Sequence, residues 1–198
     1  MNNVTKQISR LLTSIAFVGA AGNAVADVDQ NNAWSNQGEI NSQASSLNWQ
    51  QSVVTGKAGI LSSVELWATE APGTFEFYIN RGTGWQDDAH DFSTTLSPAA
   101  NSLISIDVSA AALNFAVGDH FVIGIKGMGP SNDCCGLGMT TGDTYAPGTL
   151  YLDGWAYSNG YDLGFRTNVN AVPEPETYAM LLAGLGLLGY LRRRKQQA

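Results

Sequence analysis

Basic residues are scarce in this chain, and most of them lie at its two ends. Between Asp27 and Ala171 there are four Lys and Arg residues against 15 Asp and Glu, so this segment of 145 residues has a formal charge of −11. Such a surface repels nucleic acid and anionic lipid, and we expect neither as a partner of this segment. Its length is enough for one domain with a sizeable core and too short for two.

Enzyme signatures are also absent from the sequence. It has no Gly-x-Ser-x-Gly, no His-Glu-x-x-His and no phosphate-binding Gly-rich loop. The acidic residues are scattered, so no acid and base pair stands out by its spacing. We therefore expect a protein that is not an enzyme and that has no cofactor.

Only two cysteines are present, and they are adjacent. Cys134 and Cys135 lie in a turn-forming stretch inside the Gly-rich segment 127–148, which we predict to be a long loop. A disulfide between the two, a bridge to another chain and free thiols all remain open. We favour the disulfide between neighbours, because the loop has no other means of being fixed. A nucleophilic cysteine would need a base, and no known spacing links His90 or His120 to the pair.

Long hydrophobic runs occur only near the two ends. At the N-terminus, two basic residues precede the apolar run 11–21, and Ala24 and Ala26 have the small side chains that a signal peptidase reads. We predict that residues 1–26 form a signal peptide. Cleavage before Asp27 would then release the exported segment.

The C-terminal segment 172–198 begins with a proline-rich strip. Proline fixes φ, removes a backbone donor and disfavours helix in the preceding residue, so we predict an extended, solvated backbone over 172–176. Extended backbone is the form that a protease binds. The motif in this strip consists of Val172, Pro173, Glu174 and Pro175.

An uncharged apolar run, 177–191, follows the strip. As a helix it would span roughly 22 Å, which is short for a hydrocarbon core of about 30 Å. The basic tail 192–198 comes next, and its long side chains can reach the headgroups on the cytoplasmic side. We predict a marginal transmembrane helix with its C-terminus inside, and not an amphipathic soluble helix, because the run is apolar all round. The basic residues that stop it are Arg192, Arg193, Arg194 and Lys195.

A Pro-Glu-Pro element, one hydrophobic helix and a terminal Arg cluster, in this order, resemble the PEP-CTERM sorting signal, the tag of exosortase substrates. The resemblance implies transient membrane anchoring and processing by an exosortase, in addition to signal peptidase. It implies a precursor anchored in the inner membrane and a mature form at the cell surface or outside the cell. It also implies a cell that makes exopolysaccharide and biofilm, so exopolysaccharide is a candidate partner.

Within the exported segment, apolar residues recur with a period of two, and the turns are rich in Gly, Asn, Ser and Asp. The strands that this pattern predicts are 53–54, 64–68, 75–79, 104–108, 121–125, 150–152 and 163–169. Seven or eight strands at this spacing predict an all-β fold, a single antiparallel β-sandwich of jelly-roll type, over 47–171. The polar segment 27–46 before it is predicted to be either a loosely held arm or an edge strand around Trp34.

Three stretches of the domain are similar to β-sandwich ectodomains that accompany the PEP-CTERM tag. They are Gly-x-Leu-x-x-Val-x-Leu at 59–66, the run 117–125, and Asp-Leu-Gly-Phe-Arg-Thr at 162–167. Because they consist of turn glycines and of apolar residues on one strand face, they carry no catalytic or ligand motif that transfers to this chain.

The loop after Trp85 concentrates oxygen ligands in a few residues. Asp87, Asp88 and Asp91 could hold Ca²⁺ together with backbone carbonyls. The segment lacks the glycine and terminal glutamate of the twelve-residue calcium loop, so a solvated acidic loop is the simpler interpretation and no metal is expected. His90 has no second His or Cys at zinc-ligand spacing and is interpreted as an exposed loop residue.

Aromatic residues fall into two groups. Those in or beside Gly-rich loops are Trp85, Trp155, Tyr157 and Tyr161. As a cluster of exposed rings they would form a sugar-binding platform, and the alternative is that they cap the ends of the core, because large aromatics are mostly buried. Those on the alternating strand faces, which we expect in the core, are Phe75, Phe77, Phe121 and Phe165.

Three functions of different classes follow from these features. The first is a non-catalytic surface or extracellular matrix protein that an exosortase sorts. The second is a carbohydrate-binding module at the same location. The third is a secreted hydrolase, which would need a pocket that gathers two acidic side chains.

Overall fold

Strands make up most of the chain that the computed structural model describes, which comprises residues 26–34, 38–42, 48–69, 73–86, 89–128, 134–157, 160–171 and 181–188. In these ranges every strand pairing is antiparallel. The strands are β1 (Asp27–Asn32), β2 (Gly38–Ser42), β3 (Asn48–Val54), β4 (Gly59–Ala68), β5 (Phe75–Arg81), β6 (Phe92–Leu96), β7 (Ser102–Asp107), β8 (Asn114–Phe115), β9 (His120–Gly127), β10 (Cys134–Thr141), β11 (Leu150–Leu152), β12 (Trp155–Ala156), β13 (Tyr161–Leu163) and β14 (Phe165–Asn170). One 3₁₀ helix, Ser109–Ala111, follows β7, and residues 181–188 are helical.

The described strands form two antiparallel sheets. One has the order β1-β14-β4-β10-β13, with β7 and β8 also paired to β4 and β2 paired to β10. The other has the order β12-β11-β3-β9-β5-β6. The prediction of a mostly β, antiparallel fold is therefore confirmed.

Apolar side chains from both sheets pack into one core. The four phenylalanines that the alternation placed there are all buried. They share the core with apolar residues of the eight-stranded sheet such as Leu61, Val64 and Leu137, which are fully buried. Because one core joins the two sheets, the described part of the exported segment holds together as one domain.

The central strands of the six-stranded sheet are buried on both faces, whereas the alternation predicts strands with one exposed face. Residues 121–125 of β9 and 48–53 of β3 are all buried. A polar layer covers the outer face, and in it Gln50 Nε2 donates a hydrogen bond of 2.7 Å to the Tyr78 hydroxyl. The same nitrogen donates to the main-chain oxygen of Gln86 (2.7 Å), so the β5–β6 loop is fastened onto the sheet.

The Gly-rich segment 127–148 is not the long loop that the sequence predicts. Eight of its residues form β10, which pairs with β2 and β13. Leu137 and Met139 point into the core, and Gly138 between them has no side chain because a Cβ there would overlap the Trp34 ring. The strand was hidden in the sequence because glycine stands at an outward-facing position.

The N-terminal end of the domain forms an edge strand, one of the two predicted alternatives. Strand β1 pairs with β14 and ends at Asn32, so Trp34 follows the strand and does not lie within it. The predicted strand 163–169 is divided in two at Gly164, whose N–H donates to the Gly138 oxygen (2.9 Å). As a result, β13 and β14 lie on opposite sides of β4 and β10 in the same sheet.

Candidate functional site

The two ends of the domain meet at one edge of the eight-stranded sheet. Strand β1 begins at Asp27, the predicted mature N-terminus, and Asp27 lies opposite Val169 of β14. One residue further on, β14 ends at Asn170 and the chain continues toward the tail. The predicted leader and the tail are therefore connected to adjacent antiparallel strands at the same end of the sheet.

Charged and polar contacts fasten β1 to the turn between β3 and β4. Lys57 Nζ donates to Asp27 Oδ2 at 2.6 Å, and this hydrogen bond, together with the lysine charge, lowers the pKa of Asp27. Asp29 Oδ1 accepts the backbone N–H groups of Gly56 (2.8 Å) and Lys57 (2.7 Å). The strand next to the predicted cleavage position is thus fixed from its first residues.

In the tail, the structure describes only the helical residues 181–188. All eight are exposed, and no described atom lies within 4 Å of the position that a Cβ would take at Gly184 or Gly186. The large apolar side chains among them are exposed by 43–65%: Leu181, Leu182, Leu185, Leu187 and Leu188. This stretch therefore carries apolar side chains that the core does not bury.

No helix within the described ranges is both long enough and apolar enough to cross a membrane. The predicted motif 172–175, the basic stop 192–195 and the cleavage residue Ala24 lie outside the described residues. So do the remaining parts of the apolar run, 177–180 and 189–191.

Two of the predicted sugar-binding aromatics are in direct contact, one beside β12 of the six-stranded sheet and one in β13 of the eight-stranded sheet. The ring centroids of Tyr157 and Tyr161 are 5.6 Å apart. Tyr157 also contacts Trp49 of β3 edge-on, with centroids 5.0 Å apart. Tyr161 packs against the core, which agrees with the core-capping alternative for this residue.

The other two predicted aromatics lie at the β11–β12 hairpin of the six-stranded sheet. Trp155, in β12, is 81% exposed. Trp85 lies beside the hairpin turn, where a Cβ at Gly154 would be 3.9 Å from the indole. All four predicted aromatics thus belong to one side of the domain, with the two tyrosines forming one contact group.

A cleft of about 360 Å³ opens beside Tyr157 and Tyr161, and its lining includes two carboxylates, Asp143 and Asp162. Asp162 is 1% exposed. Burial raises the pKa of this carboxyl. The cleft therefore holds two of the aromatics of the carbohydrate-binding hypothesis, and it also holds two acidic side chains, which the hydrolase hypothesis requires.

Both oxygens of Asp162 already accept hydrogen bonds within the domain. Oδ2 accepts the backbone N–H of Tyr145 (3.0 Å), and Oδ1 accepts Gln51 Nε2 (3.3 Å). Gln51 Oε1 in turn accepts the backbone N–H of Leu163 (2.9 Å). This network ties β3 to β13 and to the segment before β11, which gives Asp162 a structural role.

His90, in the predicted acidic loop, contacts the outer face of the six-stranded sheet. The His90 ring stacks on the buried Tyr78 ring with centroids 3.9 Å apart. His90 Nδ1 lies 3.2 Å from Asn80 Oδ1, and its Nε2 lies 3.9 Å from Glu76 Oε1. His90 is an exposed residue of the β5–β6 loop, as predicted, and one face of its ring covers part of the sheet.

Of the three calcium candidates, only Asp91 lies in the described part of the chain. Its Oδ2 accepts the backbone N–H of Arg81 (2.8 Å). Asp87 and Asp88 lie outside the described residues, among which no group of three potential metal ligands occurs. The observed contact of Asp91 is a local one that closes the loop between β5 and β6.

The backbone of Cys134 and Cys135 belongs to β10, opposite Ser42 and Asn41 of β2. Their side chains lie outside what the structure describes. The disulfide between the two remains a prediction, now placed at the start of a strand and not in a loop.

Sequence reasoning missed one aromatic pair on the outer face of the eight-stranded sheet. Trp34 and Trp67 stack with ring centroids 5.0 Å apart and an angle of 22° between the rings. A cleft of about 220 Å³ adjoins them. The outward position of Trp67 in β4, two residues after Glu65, was a signal in the alternation. Its pairing with Trp34 was not, because the two residues are far apart in the chain.

Residues 171–195 match the family model of the PEP-CTERM protein-sorting motif. The predicted sorting tag is thereby confirmed, and the matched residues begin directly after the last strand. The motif implies an exported protein that is membrane-anchored as a precursor and processed by an exosortase. No curated protein matches the chain closely enough to count as a relative.

Proposed function

We propose, from the PEP-CTERM motif at residues 171–195, that the mature protein is a non-catalytic surface or extracellular matrix protein associated with exopolysaccharide. Signal peptidase and an exosortase are its processing partners. The motif is the main support for this proposal, because it directs the chain to processing enzymes that act outside the cytoplasm. The strongly acidic exported segment supports a role that does not involve nucleic acid.

The geometry of the domain supports processing at both ends. Asp27 pairs with Val169, so the two ends of the domain lie side by side. Both hydrophobic segments of the precursor could therefore enter one membrane without rearrangement of a strand. The extended strip 171–176 would span roughly 20 Å at about 3.3 Å per residue. This length keeps the proline motif accessible between the folded domain and the membrane.

The scaffold and the contacts of its acidic groups favour a non-catalytic protein. The two antiparallel sheets and their common core support a β-sandwich of jelly-roll type. Asp162, the buried carboxylate beside the tyrosine cleft, accepts internal hydrogen bonds on both of its oxygens. A hydrolase would need such a group free to transfer a proton, so this alternative has less support.

Cell fractionation tests the proposed sorting. In the native cell, the wild-type chain is expected to be trimmed and to appear outside the inner membrane, whereas in a strain without its exosortase it stays full-length in the membrane. Changing residues 192–195 to Ser should weaken retention, so that unprocessed chain escapes. Unchanged trimming in the exosortase-deficient strain would contradict the proposal.

A second candidate function is carbohydrate binding beside β12 of the six-stranded sheet and β13 of the eight-stranded sheet. It is supported by the contact between Tyr157 and Tyr161 and by the exposed Trp155 nearby. A pull-down on the polysaccharide of the native cell tests it with Tyr157→Ala and the matched Tyr157→Phe, which keeps the ring. Loss of polysaccharide binding in Tyr157→Ala with retention in Tyr157→Phe supports this site. Binding by both variants as strong as that of the wild type contradicts it.

A further inference from the structure

The stacked pair Trp34–Trp67 forms an aromatic surface on the outer face of the eight-stranded sheet. Trp67 projects from β4, and Trp34 covers Gly138 of β10, where a Cβ would overlap its ring. A Cβ at Gly164 would lie 2.8 Å from the Trp34 Cβ. The two glycines thus leave room for the Trp34 side chain, which packs there against the ring of Trp67.

The exposed parts of these two rings are carbon. Both indole nitrogens are buried, and neither has a hydrogen-bond partner among the described residues. Leu103 of the neighbouring strand β7 also lines the cleft and is 57% exposed. Carbon faces of partly exposed indoles, extended by a leucine, offer an apolar platform to a ligand.

Polar groups border the platform on the side of β14. Arg166 Nη1 donates to Glu65 Oε2 at 3.0 Å, and Asn168 Nδ2 donates to Glu65 Oε1 at 3.2 Å. Glu65 and Arg166 line the same cleft as the two tryptophans, and Asn31 lines it as well. The site therefore offers donors and acceptors next to an apolar face.

The platform lies at the end of the sheet away from the tail. Strand β14 ends at Asn170, which pairs with Ile60 near the start of β4, whereas Trp67 lies near the end of β4. Seven residues of strand separate the two positions, about 23 Å at 3.3 Å per residue. A precursor tethered by its tail would present this end away from the membrane.

We propose that the Trp34–Trp67 cleft binds a neutral sugar ring of a polysaccharide. A pyranose has an apolar face of C–H groups and a rim of hydroxyls, which match the indole carbons and the Glu65–Arg166 border. An acidic polymer is disfavoured by the formal charge of −11 of the exported segment. The inference deepens the proposed association with exopolysaccharide and rests on it for the source of the sugar.

Affinity electrophoresis of the full-length chain in detergent tests the site. The probes are dextran, galactomannan and β-glucan as neutral polymers, and alginate as the acidic one. We expect at least one neutral polymer to retard the wild-type chain and alginate not to retard it. Trp67→Ala should weaken that binding about fivefold or more, since it removes a stacking ring.

Two further variants separate this site from the tyrosine cleft and from misfolding. Leu103→Ser changes an exposed side chain and is expected to weaken binding two- to threefold while thermal unfolding stays unchanged. Trp155→Ala removes an exposed tryptophan of the second candidate site and should weaken binding less than Trp67→Ala does. The inference would be overturned if no neutral polymer retarded the chain, or if alginate alone did. It would also be overturned if Trp155→Ala abolished binding while Leu103→Ser and Trp67→Ala did not. Failure of sorting shows instead in cell fractionation, which this binding assay does not involve.

Discussion

Tyr78 and Gly124 form a cross-strand pair that builds the outer layer of the six-stranded sheet. They lie directly opposite each other in β5 and β9, and the tyrosine ring covers the glycine. The Tyr78 hydroxyl donates to Asn48 Oδ1 at 2.6 Å, and His90 stacks on the ring. The absence of one side chain at position 124 therefore allows the ring, and the loop above it, to lie on the sheet.

Gly124→Ala is expected to destabilise the domain by about 2–3 kcal/mol, because the added methyl overlaps a fully buried ring. Chemical denaturation measures this change. The double variant Gly124→Ala/Tyr78→Ala is the control, since removal of the ring makes room for the methyl. We expect the double variant to be less destabilised than the sum of the two single ones. Strict additivity would show that the predicted overlap does not exist.

The buried Asp162 makes the stability of the domain depend on pH. Burial raises its pKa in the folded chain above the ordinary value of 3.8, so the folded state binds more protons between the two values. Its contribution to the free energy of unfolding falls as pH rises through this window. Asp162→Asn removes the titration, and its stability relative to wild type should improve from about pH 4 to about pH 7.

Asp107 provides a control of opposite sign for this measurement. A hydrogen bond from Ser109 lowers the pKa of Asp107, so its contribution is present above 3.8 and is lost as pH falls through the lowered value. Asp107→Asn should therefore lose stability relative to wild type as pH rises toward 3.8, below the range in which Asp162 acts, and run parallel to wild type above it. If the stability of Asp162→Asn ran parallel to wild type over the whole range, the carboxyl would not be perturbed by burial.

At the level of elements, the predicted strands were those whose inward residues are large. Strands β5, β7 and β9 alternate Phe, Ile or Val with other residues, and all three form where the pattern placed them. Strand β10 was missed, because glycines interrupt its apolar residues. The alternation also could not show that β3 and β9 are covered on both faces, since the outer layer combines side chains of β3 and β5 with the distant loop before β6.

Strand β10 carries the two adjacent cysteines, and the sequence leaves their redox state open. We still predict that Cys134 and Cys135 are bridged to each other in the exported protein, where thiols oxidise. The intact mass without reductant should then be about two mass units below that of the dithiol, with no dimer on a gel. A dimer that a reductant dissolves would contradict this and indicate a bridge between chains.

At the level of the whole molecule, the sequence predicted the sorting signal better than the contacts between aromatic rings on the surface. The order of the proline strip, the apolar run and the arginines was enough to identify the tag, because each element has its own local signature. The ring contacts between Tyr157 and Tyr161 and between Trp34 and Trp67 depend on which strands pair. The Trp34–Trp67 contact in particular requires β1, β4 and β10 to lie in one sheet, which residue spacing does not show.

The register of β1 and β14 relates the two ends of the domain to the Trp34–Trp67 cleft. It places the predicted cleavage position and the start of the tag side by side, while the Trp34–Trp67 cleft lies at the far end of the same sheet. Both predicted hydrophobic segments could then be removed without taking any described strand from the two sheets. The central claim is that the tail is a signal to be processed and not a permanent anchor.

The most direct test is the fate of a chain with Pro173→Ala and Pro175→Ala, followed by pulse labelling, fractionation and intact mass. Without the two prolines, helix can propagate into the strip and remove the extended backbone that a protease binds. The account predicts that wild type is trimmed and released, whereas the variant stays full-length and membrane-bound. Trimming and release of the variant at the wild-type rate would contradict it.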